Sequence, residues 1–316
     1  MKLKLFILLL SLLLPVARAQ ASSMFLRQTS FDGGLYLAFP ITGFWLGDDL
    51  QITIAVSHET KYNSFEDSIC SSWGIDGLTT YLVCNEKNQL AWRSPTGDTA
   101  HFDKALLAKQ KNLVNNGCML LVMGEDEYVV ADARSRKWFY KRGSLEKVQY
   151  QQDGKVEEMS FKCSNGMIRE MSYKNHVTLS VRQQGSLLLF FVKDQQIAAI
   201  QYDETGRFID YINFADERRP ALKFTYEENN LVQLDAGVMG GASFVWKEVG
   251  LWQKWFGLLQ YPVYLYSDGH YTYTHGFYFG RARITATDST GKREMKTLNL
   301  KSGLITDKKS PAKPIP

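Results

Sequence analysis

Apolar and polar residues alternate along most of the chain with a period of two, which is typical of β-strands that bury one face. The clearest segments are LYLAF, LQITIAV, TYLV, EYVVA, VTLSV, LKFTY and YTYT, all rich in β-branched and aromatic residues. Helical periodicity occurs only at residues 103–113, where Asp103 is placed to cap a helix, and at residues 247–259. The pattern predicts a mainly β fold with one or two short helices.

Polar turns separate these strands at regular intervals. Gly143, Gly154 and Gly166 lie 11 and 12 residues apart. Two of these glycines follow Asp or Asn, a strong hairpin signal because both central residues of that turn take positive φ. A strand–turn–strand unit cannot bury its apolar face alone, so the units must stack or curl into one antiparallel sheet. We expect residues 120–236 to be mostly antiparallel strands, with turns at Asp153-Gly154, Asn165-Gly166 and Thr205-Gly206.

One turn carries a more specific pattern. In QYDETGRFIDY, Tyr202 and Asp203 are followed by Gly206, Arg207 and an apolar strand. This stretch resembles the YD repeat of RHS-type proteins, and the neighbouring units are degenerate versions of it. The front of the chain resembles the segment that precedes such repeats, because GGLYLAFPI, LQITIAVSHETKYNS, a Trp-Gly pair and LAWRSPTGDTAHF occur in the same order.

The resemblance covers residues 31–236 and, weakly, 281–305. It implies an elongated or curled antiparallel sheet of β-hairpins, equivalent to part of an RHS-type shell. We expect the four motif residues to be structural. The glycine permits the turn, the tyrosine packs against the next unit across the sheet, the aspartate bonds the turn backbone, and the arginine pairs with an acid.

The N-terminal segment predicts export. Lys2 and Lys4 precede the short apolar stretch Leu5–Leu14, and Ala17-Arg18-Ala19 is typical of a cleavage site. We interpret residues 1–19 as a signal peptide removed before Gln20, with an uncleaved anchor as the alternative. The mature chain is then expected to be secreted, periplasmic or at the cell surface, without a later membrane span.

Signal cleavage also changes the charge. The full chain has 37 basic and 33 acidic residues. Three basic residues and no acidic one lie in the signal peptide, so the mature chain keeps a net charge of only +1. Such a balance does not indicate a phosphate-binding surface, and nucleic acid is therefore not an expected partner.

The pattern divides the mature chain into three parts. Residues 20–130 form a β lead-in, residues 131–305 form the degenerate hairpin repeats with an aromatic insertion at 244–279, and residues 306–316 are a polar tail. We expect no cargo domain, of the kind found in long RHS proteins, after residue 305. The chain is thus expected to be a stand-alone scaffold, a partial shell or a fragment of a larger shell.

The aromatic insertion is the candidate binding region. It contains 13 aromatic residues among 36, whereas aromatic residues make up 13% of the whole chain. Exposed Trp and Tyr side chains stack on sugar rings or anchor protein partners. Two alternatives remain open: the segment caps the open end of the sheet, or its helix lies at a membrane interface. The predicted ligand-binding residues are Trp246, Trp252, Trp255, Tyr264, Tyr266, Tyr271 and Tyr273.

The four cysteines, Cys70, Cys84, Cys118 and Cys163, form an even set in an exported protein. Disulfides are therefore allowed, and three pairings exist. A Cys70–Cys84 bond would close a short loop and stabilise the fold by roughly 3 kcal/mol. The alternative is that all four remain buried thiols.

Catalytic and metal-binding patterns are absent from the sequence. No nucleophile elbow, zinc-protease motif, P-loop or dinucleotide fingerprint occurs. His270 and His275 lie five residues apart, which puts them on opposite faces of a regular strand. We predict no cofactor, no metal and no catalytic residue. The expected function is non-catalytic binding of carbohydrate or of a protein partner. The alternatives are an exported carbohydrate-active enzyme and a shell component of a toxin-like system.

Overall fold

The computed structural model describes residues 26–29, 35–47, 50–63, 68–107, 109–237, 240–246, 263–267, 271–278, 281–299 and 305–310. Within these ranges the chain is almost entirely β, which confirms the predicted fold class. The strands form one large sheet and two small ones, and within each sheet the strands that follow one another in the chain pair antiparallel.

The front of the chain builds the two small sheets. A four-stranded sheet contains, in this order, β1 (Leu26–Thr29), β2 (Leu35–Leu46), β3 (Leu50–Asn63) and β4 (Ser68–Asp76). A three-stranded sheet contains β5 (Tyr81–Cys84), β6 (Gln89–Arg93) and β7 (Thr99–Asp103), followed by the single described helix, α1 (Lys104–Leu107).

The large sheet takes up the rest of the described chain. Its strands follow one another in chain order, and the order closes on itself with the last strand beside the first. They are β8 (Asn112–Asn115), β9 (Cys118–Gly124), β10 (Glu127–Ala131), β11 (Lys137–Lys141), β12 (Ser144–Gln152), β13 (Lys155–Ser164), β14 (Met167–Tyr173), β15 (His176–Gln184), β16 (Leu187–Val192), β17 (Gln195–Tyr202), β18 (Ile209–Phe214), β19 (Leu222–Glu227), β20 (Asn230–Asp235), β21 (Gly241–Trp246), β22 (Val263–Ser267), β23 (Tyr271–Tyr278), β24 (Arg281–Asp288), β25 (Arg293–Asn299) and β26 (Ile305–Ser310).

The predicted hairpin turns are confirmed. Asp153-Gly154 has φ values of 49° and 71°, and Asn165-Gly166 has 52° and 70°, as expected for two-residue turns with both central residues left-handed. Alternation then sorts the side chains of each strand. In β13, for example, Met159 is buried while the residues on either side of it are exposed.

The predicted helix at residues 103–113 is wrong beyond its first turn. Asp103 does cap α1, because its Oδ1 accepts a hydrogen bond of 2.8 Å from the Ala105 N–H. The helix ends at Leu107, however, and residues 112–115 form β8 instead. None of the α1 side chains is buried, so no packing supports a longer helix. The other predicted helix, residues 247–259, lies outside the described residues.

The two small sheets pack on one face of the large sheet. The ring of Phe224 on β19 meets the rings of Phe39 and Trp73 at centroid distances of 5.3 and 4.8 Å. The Trp92 indole N–H on β6 donates a 3.0 Å hydrogen bond to the hydroxyl of Tyr140 on β11. Apolar side chains from all three sheets therefore form a common core.

The state of the described cysteines differs from the prediction of a Cys70–Cys84 disulfide. Cys84 is exposed, Cys118 buried and Cys163 partly buried, and all three are free thiols. The Cys70–Cys84 bond is therefore not formed, and the side chain of Cys70 lies outside the described residues. Burial raises the pKa of the Cys163 thiol to about 11, so this thiol stays protonated at neutral pH.

Candidate functional site

The predicted aromatic residues are only partly within the described chain. Trp246 is half-buried, packs against the core, and donates an indole hydrogen bond of 2.8 Å to the Leu231 carbonyl. Tyr266 on β22 is in register with both Phe244 and Tyr273. The side chains of the four predicted tyrosines, and the whole of Trp252 and Trp255, lie outside the described residues, so a binding role for this set stays a prediction.

The YD motif forms a turn held by its own aspartate. Asp203 Oδ1 accepts hydrogen bonds from the backbone N–H groups of Arg207 and Phe208, at 2.9 and 3.0 Å, and Gly206 has a φ of 70°. Tyr202 is partly buried against the core. The expected acidic partner of Arg207 is replaced by an aromatic one, because the Arg207 guanidinium lies 5.6 Å from the Phe208 ring centroid.

The same turn recurs where the sequence shows no YD motif. In each copy a side-chain oxygen accepts hydrogen bonds from the N–H groups two and four residues ahead, and the residue three ahead takes positive φ. Among the described residues, three further copies begin at Asn85, Asp132 and Asp288. The signal that could have found them is an Asp or Asn followed three residues later by Gly, Asn or Ser.

The Asp132 copy differs from the others because it is buried. Asp132 Oδ2 accepts hydrogen bonds from Arg136 Nε at 2.6 Å and from the Trp138 indole at 2.9 Å. Arg136 Nη2 also lies 4.0 Å from a carboxylate oxygen of Asp98, on the turn between β6 and β7. This network joins the three-stranded sheet to the large sheet, and its role is structural.

The four-stranded sheet offers the most distinct polar cluster among the described residues. His58 and Trp73 lie on the face that packs toward the large sheet. Tyr36, Glu59 and Asp76 lie on the opposite face, because successive residues of a strand point to opposite sides. Both Tyr36 and Asp76 are partly exposed, so this second face is open to solvent at the cluster.

The tyrosine of this cluster lies across the sheet. Its hydroxyl donates a 2.7 Å hydrogen bond to Asp76 Oδ2, although β3 separates β2 from β4. Two strand spacings amount to about 9–10 Å, so the Tyr36 ring must extend over β3 to reach Asp76. The residues in register on the three strands at this level are small, namely Ala38, Ser57 and Gly74, which leaves room for the ring.

Burial raises the pKa of Tyr36 well above its ordinary value, and the hydrogen bond to Asp76 raises it further. The negative charges of Asp76 and Glu59 act in the same direction, whereas the positive charge of Arg93 acts against them. The tyrosine therefore stays a neutral hydrogen-bond donor at neutral pH.

This arrangement is suited to binding. Carboxylates accept hydrogen bonds from hydroxyl, ammonium or guanidinium groups, and a flat aromatic ring offers a surface for stacking.

Among the described residues no group of three or more His, Cys, Asp and Glu side chains could hold a metal ion. In the same part of the chain, no helix is long and apolar enough to cross a membrane.

The sequence alone does not reveal this cluster, because its members are brought together only by long-range strand pairing. Tyr36, Glu59 and Asp76 are far apart in the chain, and only the pairing of β2, β3 and β4 brings them together. The available signal was weak: each is a polar residue that alternates with buried neighbours. Adjacent pairs of acidic residues also occur in the sequence, but none is seen to join this cluster. Glu125-Asp126 forms the turn between β9 and β10, while Asp48-Asp49 and Glu66-Asp67 lie outside the described residues.

No model of a known protein family matches the chain, and no curated protein matches its sequence.

Proposed function

We propose that the chain is an exported, non-catalytic β scaffold of the YD type that binds carbohydrate or a protein partner. The pattern of residues 1–19 supports export. The hairpins in chain order and the aspartate-held turn at 203–207 support the resemblance to RHS-type proteins. Such a scaffold can act outside the cell on its own or as part of a larger shell.

The observation that carries the binding proposal is the cluster on the four-stranded sheet. Tyr36 lies over β3 with its hydroxyl fixed by Asp76, and Glu59 faces the same side. A fixed aromatic ring beside two carboxylates loses little side-chain entropy on binding and offers both stacking and hydrogen bonding. These are the features that sugars and protein side chains both use.

The test compares two aromatic residues of one strand face. Trp45 lies on β2, on the same side as Tyr36, is 60% exposed, and stands outside the cluster. The mature protein beginning at Gln20 is applied to a glycan array and is used to capture extracellular proteins of its host. Tyr36→Ala is expected to weaken binding by at least about tenfold, or about 1.4 kcal/mol, and Trp45→Ala is not. Equal effects of the two substitutions would place the site elsewhere, and an absence of any ligand would contradict the proposal.

The second candidate function is a carbohydrate-active enzyme. Glu59 and Asp76 lie on the same face of one sheet, and glycosidases use two carboxylates that face one cleft. Hydrolysis of chromogenic aryl glycosides by the mature protein, lost in both Glu59→Gln and Asp76→Asn, would support this candidate against the first.

A further inference from the structure

The strand β4 is the edge of the four-stranded sheet. It is nine residues long, and within the described part of the chain it pairs only with β3. An edge strand presents a row of backbone N–H and C=O groups that can pair with another strand. The segment just beyond it already does so, because the Thr80 N–H donates to the Gly166 carbonyl at 3.1 Å and the Ile168 N–H to the Leu78 carbonyl at 2.9 Å.

The edge lacks the features that normally prevent pairing. Proteins protect exposed edges with charged side chains, prolines or bulges. The sequence of β4 up to Ile75, SICSSWGI, contains no charged residue and no proline, and its pairing with β3 shows no register shift. Ser72 and Gly74 are exposed and small, so they do not hinder the approach of another chain.

The neighbouring charges indicate what kind of chain fits. Asp76 ends β4 itself, so its carboxylate flanks this edge, on the face that also carries Tyr36. A strand added beside β4 would lie about 5 Å from β4 and about 9–10 Å from β3. A Lys or Arg side chain of that strand can extend over Gly74 and reach the Asp76 carboxylate, with the Tyr36 hydroxyl beside it.

We propose that β4 takes up an extended polypeptide segment by strand addition, and that this segment carries Lys or Arg where it faces Asp76. This inference rests on the proposed binding function and names its partner class. Main-chain hydrogen bonds would hold the segment, and the Asp76 carboxylate would select its charge.

The first experiment measures peptide binding by fluorescence anisotropy. The probe is a labelled, alternating Thr–Lys peptide of ten residues, and the charge control is the matching Thr–Glu peptide. We expect saturable binding of the Thr–Lys peptide and at least tenfold weaker binding of the Thr–Glu peptide. A Thr–Lys peptide that is N-methylated at alternate residues, on the edge that would face β4, is expected to lose binding because it cannot donate backbone hydrogen bonds.

Variants of the protein locate the site. Ser72→Lys places a positive charge on the free edge, and Asp76→Asn removes one carboxylate charge; each is expected to weaken Thr–Lys binding by at least tenfold. The control is Ser160→Lys, at an exposed position of β13, a strand paired on both sides, and it should bind like the wild-type protein. Circular dichroism and urea unfolding verify that each variant is folded.

Several outcomes would overturn the inference. Absence of Thr–Lys binding refutes it, and equal binding of the N-methylated peptide shows attraction by charge without strand addition. A wild-type dimer in sedimentation velocity that Ser72→Lys dissociates shows that a second copy of this chain occupies the edge. Glycan binding that depends on Tyr36, without peptide binding, leaves the proposed function standing and refutes only strand addition.

Discussion

The buried histidine His58 gives a sharp prediction about stability and pH. Its side chain is fully buried, and neither ring nitrogen has a hydrogen bond to another residue. The imidazole meets the Trp73 ring edge-on, with centroids 4.8 Å apart. Burial lowers the pKa of His58 from 6.5 to about 4, and no charged group among the described residues contributes to the shift. Protonation would therefore place an unpaired charge in the core.

The direction of this pH dependence follows from how many protons the folded and unfolded states bind. Between pH 6.5 and about pH 4, the unfolded chain protonates His58 and the folded chain does not. The unfolded state then binds more protons, so the free energy of unfolding falls as the pH falls through this window. Above pH 6.5 the ionisation of His58 does not lower the free energy of unfolding. One pKa unit corresponds to about 1.4 kcal/mol, so the full loss is about 3 kcal/mol.

Urea unfolding of the wild type and of His58→Leu tests this value. Leucine fills a similar volume and does not titrate. Between about pH 7 and pH 4.5, the wild type is expected to lose about 2–3 kcal/mol more of its unfolding free energy than His58→Leu loses. The control is His176→Gln, at an exposed position of β15, which should follow the wild type. If His58→Leu and the wild type show the same pH dependence, His58 is not held neutral by burial.

Four further predictions concern the turns, the N-terminus and the aromatic insertion. Asp132→Ala should cost about 3–5 kcal/mol, because it removes the hydrogen-bonded partner of the buried Arg136 and leaves only the Asp98 carboxylate, 4.0 Å away. Asp288→Ala, in the exposed copy of the turn, should lower the free energy of unfolding by only about 0.5–2 kcal/mol. If urea unfolding gives the same loss for both substitutions, the buried hydrogen bonds of Asp132 add no stability beyond that of the turn. Gly166→Val should destabilise by about 1 kcal/mol or more because valine resists positive φ, whereas an unchanged urea midpoint would contradict the turn geometry. Mass spectrometry of the native protein should find an N-terminus at Gln20, and an intact Met1 in the cytosol would refute export. Alanine substitution of the seven predicted aromatic residues should weaken ligand binding by about 1–3 kcal/mol at exposed positions. If all seven substitutions lower the melting temperature and none selectively weakens binding, the insertion only caps the sheet.

The hairpins could be predicted because their signals are local. Asn165-Gly166 determines a turn through the conformational preferences of two adjacent residues, and alternation then assigns the strands on either side. The helix predicted at residues 103–113 failed for the converse reason. Its periodicity was local, but no partner surface buries it beyond Leu107.

The candidate site could not be predicted, because it depends on long-range pairing. Tyr36 and Asp76 are 40 residues apart and meet only through the register of β2, β3 and β4. A shift of one residue in that register would move Tyr36 to the other face of the sheet. The burial of His58 has the same origin, since its sequence context, an alternating strand, is equally compatible with an exposed position.

The chain order of the large sheet has a consequence for how the protein is made. The two small sheets are synthesised before the strands that pack on them, so an apolar surface is available as each later hairpin emerges. Each hairpin then pairs residues that are close in sequence, and such local contacts form faster than long-range ones. Among the described strands of the large sheet, β26 and β8 are the neighbours that lie farthest apart in the chain. Completion of the ring therefore waits for the C-terminal strands, and a nascent chain stalled before residue 305 would expose an unpaired edge to any neighbouring chain.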